Sequence, residues 1–280
     1  MKLSCLPVSY FAPIIGGKMT IGQWAQEAAT LGLDGIDISI LFVKALTPSY
    51  LASLRQEIED AGIGLTMVTT YPDFTHPDDG ERRRQLDEIG AQIEAAAKLG
   101  AKYVRITSGQ GHPQTPRQQG IEWAVEGMTN ALAFGRAHNI ELVFENHAKP
   151  GVWQYPDFCF PTDTFLELVR RTEGTDLGVN FDTANTVAFG DDPLPVLKQV
   201  LSRVRTVHAA DTSTRDGRLT HVQLGSGLVP FLDLFRLLRA GGWDNWICIE
   251  ENSRQGREGV ATAVCFVRDT WARASDHTDA

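Results

Sequence analysis

Leu142-Val143-Phe144-Glu145-Asn146-His147 is a short apolar run that stops abruptly on a carboxylate, an amide and an imidazole. Three other runs in the second half of the chain stop the same way: Val179-Asn180-Phe181-Asp182, Val204-Arg205-Thr206-Val207-His208 and Trp246-Ile247-Cys248-Ile249-Glu250. If these are neighbouring strands of one parallel barrel, their tips converge, because the C-terminal ends of barrel strands share one face. Glu145, Asp182, His208 and Glu250 then form a mixed carboxylate and imidazole cage for a divalent metal.

The barrel requires four more strands, and the first half supplies them. Leu3 to Val8, Gly35 to Ile38, Leu65 to Thr70 and Tyr103 to Ile106 are apolar runs. Helix punctuation separates them. Thr20 with Gln23 makes a capping box, Thr47-Pro48 gives an N-cap and an N1 proline, and Leu31-Gly32, Ala61-Gly62 and Leu99-Gly100 are C-terminal stops. In the second half, helices are expected from about Thr162, at Asp192-Pro193, from Pro230 to Ala240 and from Gly259 to Arg273. With the helix that Thr115-Pro116 opens and that ends near His138-Asn139, eight strands alternate with eight helices. Alternation demands crossover connections and hence a parallel sheet covered by helices. Eight such units in roughly 250 residues make a (β/α)8 TIM barrel, here expected to span residues 1–280 as one domain. An open doubly wound sheet is disfavoured, because Val8 to Gly17 lacks the glycine-rich phosphate turn of that fold. The polar tail from Ser275 to Ala280 is expected to fray.

Composition narrows the function. The chain has 280 residues, 42% hydrophobic and 22% charged, with a formal net charge of −9. That balance suits a soluble globular protein and opposes a nucleic-acid partner, whose phosphates need a basic footprint. No run of about twenty apolar residues is long enough to span a membrane. The four cysteines are scattered without metal-knuckle spacing, which fits a reducing compartment, and a cytoplasmic protein is expected. Composition leaves a homo-oligomer open.

The motifs VFENH, NFDTAN, VHAAD and ICIEEN, together with Lys18-Met19-Thr20, Gly32-Leu33-Asp34-Gly35-Ile36 and Leu224-Gly225-Ser226-Gly227, resemble the xylose isomerase-like barrel superfamily. That group contains sugar phosphate isomerases and epimerases and, more distantly, type IV apurinic endonucleases. The resemblance implies that Glu145, Asp182, His208 and Glu250 are metal ligands, and that Glu145 and Glu250 double as the catalytic acid/base pair. Two positions depart from the pattern. Asn185 stands where many sugar epimerases of the group carry His, and Ser226 stands where Glu is frequent in the Gly-x-Gly after strand seven.

The expected reaction follows from these residue types. A hydroxy-ketone chelates one divalent ion (Mn, Mg, Co or Zn), which acidifies the intervening C–H. A carboxylate moves that proton through a metal-bound enediolate, isomerising or epimerising a keto-sugar, polyol derivative or sugar phosphate. Loss of water or carbon dioxide from the same intermediate makes a lyase the alternative, acting on a keto-sugar acid. A non-catalytic sugar-binding or partner subunit is the second. Further candidates for substrate contact are His147, Lys149 and Trp153 in the long loop after strand five, together with Asn185, Asp211, His221 and Arg105. Asn146 is expected beside the substrate, and Asp211 as an orienting partner of His208, a second-metal ligand or a substrate contact. The loop from His147 to Phe158 is either a lid or a packed rim or subunit contact.

Overall fold

In the computed structural model, which describes residues 1–215 and 218–275, eight parallel strands form one sheet in the order β1-β10-β7-β6-β5-β4-β3-β2. They are β1 Lys2–Leu6, β2 Gly35–Ser39, β3 Gly64–Thr69, β4 Tyr103–Ile106, β5 Glu141–Glu145, β6 Gly178–Asp182, β7 Val204–Ala209 and β10 Trp246–Glu250. The seam lies between β1 and β2, which pack side by side. Asp34 clasps it: its backbone N–H donates to Leu3 O at 2.8 Å, and its Oδ2 accepts from Leu3 N at 2.8 Å. The result is the (β/α)8 barrel expected from the alternation of runs and caps.

Around it lie α1 Phe11–Ile15, α2 Ile21–Thr30, α3 Pro48–Asp60, α4 Asp79–Lys98, α5 Arg117–His138, α6 Thr162–Arg171, α7 Asn185–Phe189, α8 Pro193–Val200, α9 Phe231–Ala240 and α10 Arg257–Arg273. The Thr20–Gln23 capping box at α2 is formed in both directions. Two short helices exceed the expected eight. Both α1 and α7 are five-residue turns attached to strand ends, too short to show a helical period. A polar hairpin, β8 Thr212–Arg215 and β9 Arg218–His221, was also not expected. The expected fraying of residues 276–280 lies outside the described residues.

The pleat sorts the strands into two faces, since successive side chains point to opposite sides. The outward set (Leu142 and Phe144 on β5, Val179 and Phe181 on β6, Ile247 and Ile249 on β10) joins the large core between barrel and helices. The inward set fills the lumen. Leu6, Met67, Tyr103, Val143 and Cys248 form a separate apolar cluster there. At the C-terminal ends the inward positions turn polar, and this places the site.

Candidate metal centre

Glu145, Asp182, His208 and Glu250 end β5, β6, β7 and β10, four adjacent strands. Each offers an oxygen or nitrogen such that all four atoms lie within 4.8 Å of one another. Glu145, Asp182 and His208 are fully buried and Glu250 is half-buried. Asp182 and His208 are direct register partners, so parallel pairing brings their side chains to one level.

The electrostatics are uneven. Glu145 Oε1 lies 3.0 Å from His208 Nδ1, and its Oε2 lies 2.8 Å from Arg105 Nε, at ion-pair distance but off the hydrogen-bond direction. Burial alone would raise the Glu145 pKa, but His208 and Arg105 hold it below the usual carboxylate range. Burial opposes the His208 charge, yet Glu145 raises that imidazole to about 9. Asp182 is the opposite case: burial, then the charges of Glu250 and Glu145, push its carboxyl well above the ordinary value. Its Oδ1 accepts the backbone N–H groups of Ala184 and Asn185 at 2.8 and 2.7 Å, whereas Oδ2 is buried without a partner.

A divalent cation fits this donor set. Crowded buried carboxylates, one with an orphaned oxygen, gain from a positive charge among them. Three oxygen donors with one imidazole accommodate Mn, Mg, Co or Zn alike.

The supporting side chains are tightly built. Arg105, 1% exposed, donates through Nη1 to Thr70 O at 2.8 Å and lies over the Tyr71 ring at 4.8 Å. It is thus a fixed counter-cation to Glu145. Asn146, expected beside the substrate, is bonded to the backbone of Asp182. Its amide donates to Asp182 O and its carbonyl accepts from Asp182 N, both at 2.8 Å, extending the β5–β6 pairing past the strand ends. His147 Nδ1 lies 3.3 Å from Oδ2 of Asp157, which is 1% exposed. The other oxygen of Asp157 accepts from Ser108 Oγ and Cys159 N. Asn185 opens α7 beside Asp182, with a buried side chain.

The loop after β5 is docked on the β4–α5 loop. Gly111 N donates to Pro156 O and Phe158 N to Gly109 O, both at 2.8 Å, and the Gln110 amide oxygen receives Gln154 N and Tyr155 N. Its aromatics have separate tasks. Phe158 is buried against Gly120, where an added Cβ would sit 2.5 Å from its ring. Trp153 and Tyr155 line a cavity of about 700 Å³ with Tyr71, Asp73, Gln85 and His112. Lys149 donates to Gln154 O at 3.0 Å and so ties the loop to itself.

One expectation is corrected. Asp211 does not orient His208: its oxygens accept four backbone N–H groups, from Thr212, Gly225, Gly227 and Val229, at 2.9, 2.9, 2.9 and 3.2 Å. A carboxylate spent in this way holds the loop after the hairpin, and an added Cβ on Gly227 would sit 2.2 Å from it. His221, expected to contact substrate, is exposed at the base of that hairpin and paired through its backbone with Thr212. Sequence reasoning missed Asp157 and Asp37. A charged residue inside the apolar run Gly35-Ile36-Asp37-Ile38 was the available signal for the latter. Burial raises the Asp37 carboxyl to about 6.

Fold and side-chain geometry define a (β/α)8 barrel with a cluster of three carboxylates and one imidazole at the strand ends. Comparison supplies the family. The model of the xylose isomerase-like TIM barrel family matches residues 25–270, and the chain belongs to that family. An inosose dehydratase of Geobacillus thermodenitrificans (strain NG80-2) is 20% identical over 278 residues, covering 89% of both chains. Among solved structures, the IOLI protein with a bound zinc atom matches with a TM-score of 0.80 at 17% identity, covering 98% of this chain and 99% of that one. A D-tagatose 3-epimerase-like protein matches with a TM-score of 0.79 at 16% identity, covering 99% of each.

Proposed function

We propose that the protein is a metal-dependent lyase that removes water from a polyhydroxylated ketone. The observation that carries this reading is the asymmetry of the two glutamates. Both oxygens of Glu145 face cations, Arg105 and His208, whereas the half-buried Glu250 makes no side-chain hydrogen bond or ion pair among the described residues. Glu250 is therefore the carboxylate free to take a proton, and Glu145 serves as an anionic ligand. His147, two residues past Glu145 and with Nδ1 3.3 Å from the buried Asp157 carboxylate, is assigned as the acid. One free base and one acid suit elimination better than two equivalent carboxylates exchanging a proton across a ring.

A divalent ion held by Glu145, Asp182, His208 and Glu250 would polarise the ketone and acidify the adjacent C–H. Glu250 takes that proton. The C–O bond at the next carbon breaks as His147 protonates the departing hydroxyl, so the products are an unsaturated ketone and water. Asn185, at the start of α7, offers a hydrogen bond to a substrate hydroxyl but no proton. The inosose dehydratase relative supports this reading. Isomerisation or epimerisation of a keto-sugar is the second reading, supported by the likeness to the D-tagatose 3-epimerase-like protein.

Incubation of metal-loaded protein with inososes, keto-sugars and their phosphates in deuterated water separates the two. Loss of the mass of one water is expected, together with a His147→Asn variant that still exchanges the substrate C–H with solvent but eliminates at least about 100-fold more slowly. Solvent deuterium in a product of unchanged skeleton and no water loss would assign the second reading.

A further inference from the structure

The ligand set leaves two polar groups in the barrel lumen unexplained. Asp37, on β2, is 0% exposed, and neither of its carboxylate oxygens receives a well-formed hydrogen bond. His208 is also 0% exposed, and its Nε2 has no partner. A carboxylate oxygen of Asp37, a ring nitrogen of His208 and Cys248 Sγ lie within 4.8 Å of one another. Since His208 Nδ1 points at Glu145 Oε1, 3.0 Å away, Nε2 occupies the opposite edge of the ring. With Nδ1 engaged at Glu145, Nε2 is the ring nitrogen left for Asp37.

We propose that Asp37 is the positioning residue of the metal centre: its carboxylate takes the Nε2–H of His208 and holds the imidazole in the tautomer whose Nδ1 lone pair faces the ligand carboxylates. The inference rests on the metal reading above. A neutral imidazole carries its proton on one nitrogen only, so whatever binds Nε2–H frees Nδ1 as a donor and increases its basicity. A purely structural carboxylate has no account here. Asp37 pairs in register with Met67 and lies beside Cys248, two members of the apolar lumen cluster, where a hydrophobic residue would sit at lower cost. Ser4 and Cys248 approach Asp37 and favour its charged form, but neither gives it a full hydrogen bond. The β2–β3 register also shifts between Ile36 and Asp37, the kind of irregularity that re-aims one side chain.

The test compares wild type with Asp37→Asn and Asp37→Glu, each stripped with chelator and titrated with Mn, Co or Zn. Metal affinity is expected to fall about 10–100-fold in Asp37→Asn, while its metal-free thermal midpoint holds or rises because a buried charge has been removed. In metal-loaded, 15N-histidine-labelled wild type, a slowly exchanging His208 Nε2–H signal is expected, and it is displaced in Asp37→Asn. If Asp37→Asn does not fold, Asp37→Glu keeps the charge but shifts it by one methylene, and the same loss of affinity is expected. Affinity and His208 signal equal to wild type in whichever variant folds would overturn the inference while leaving the metal centre intact. Wild type that takes up no divalent ion would overturn both. Cys248→Ala is expected to leave stoichiometry at one ion per chain; a second ion lost with that thiol would mean that Asp37, His208 and Cys248 are themselves ligands, and would sink the positioning role.

Discussion

Within one cluster, Glu145 is neutralised by two cations while Asp182 is crowded by two carboxylates. Asp182→Asn removes that repulsion and one ligand at once. In chelator, its thermal midpoint is expected to rise above wild type. Its metal affinity should fall by more than about 100-fold, beyond the cost of losing an outer partner. Calorimetric titration and thermal unfolding check both, and a lower metal-free midpoint would contradict the repulsion. His208 sets the pH dependence of the same metal-free state. Its folded pKa of about 9 lies above the ordinary imidazole value, so the His208–Glu145 attraction is complete below about pH 6.5 and is lost as pH rises through about 9. The metal-free midpoint should therefore decline across that window. His208→Asn should flatten the decline, and an unchanged slope in that variant would assign it elsewhere.

At the scale of elements, the strands that end in ligands were legible because a carboxylate or imidazole closing an apolar run is costly unless it has company. The caps were legible because Thr20, Gln23 and Pro48 act within one turn. What escaped was non-local. Asp211 looked like a partner for His208 from its place three residues on, but its acceptors were claimed by amides 14 to 18 residues away. The Asn146 amide is bonded to the backbone of Asp182, 36 residues distant, a contact that no local pattern marks. The β8–β9 hairpin is short and polar, without the hydrophobic alternation that marks a half-buried strand. In the loop after β5, Phe158 packs against Gly120, while Trp153 and Tyr155 line a cavity whose lining includes none of the four clustered donors. Asp157 is the pin, joining Ser108 and Cys159 while facing His147. Asp157→Ala should raise hydrogen exchange from residue 148 to 159 by about tenfold or more, with β5 still protected. Uniform exchange across loop and barrel would mean that the loop does not open separately.

For the whole molecule, the site is a stability deficit placed where four strands meet. Glu145, Asp182 and Glu250 gather three of the chain's 35 acidic residues into one cluster, and Arg105 and His208 offset only part of their charge. A cation bound there ties β5, β6, β7 and β10 together across 106 residues of sequence, from Glu145 to Glu250, both ends counted. It binds only the folded barrel, because no unfolded chain presents the four donors together. Mass action then stabilises the fold by about 2.7 kcal/mol when free metal exceeds the dissociation constant 100-fold. For a chain of this size that corresponds to a rise of roughly 5 °C in the unfolding midpoint, reversed by chelator. The gain should scale with the logarithm of metal concentration and vanish in Glu250→Gln combined with Asp182→Asn. A gain that survived the double substitution would place the ion elsewhere on the protein.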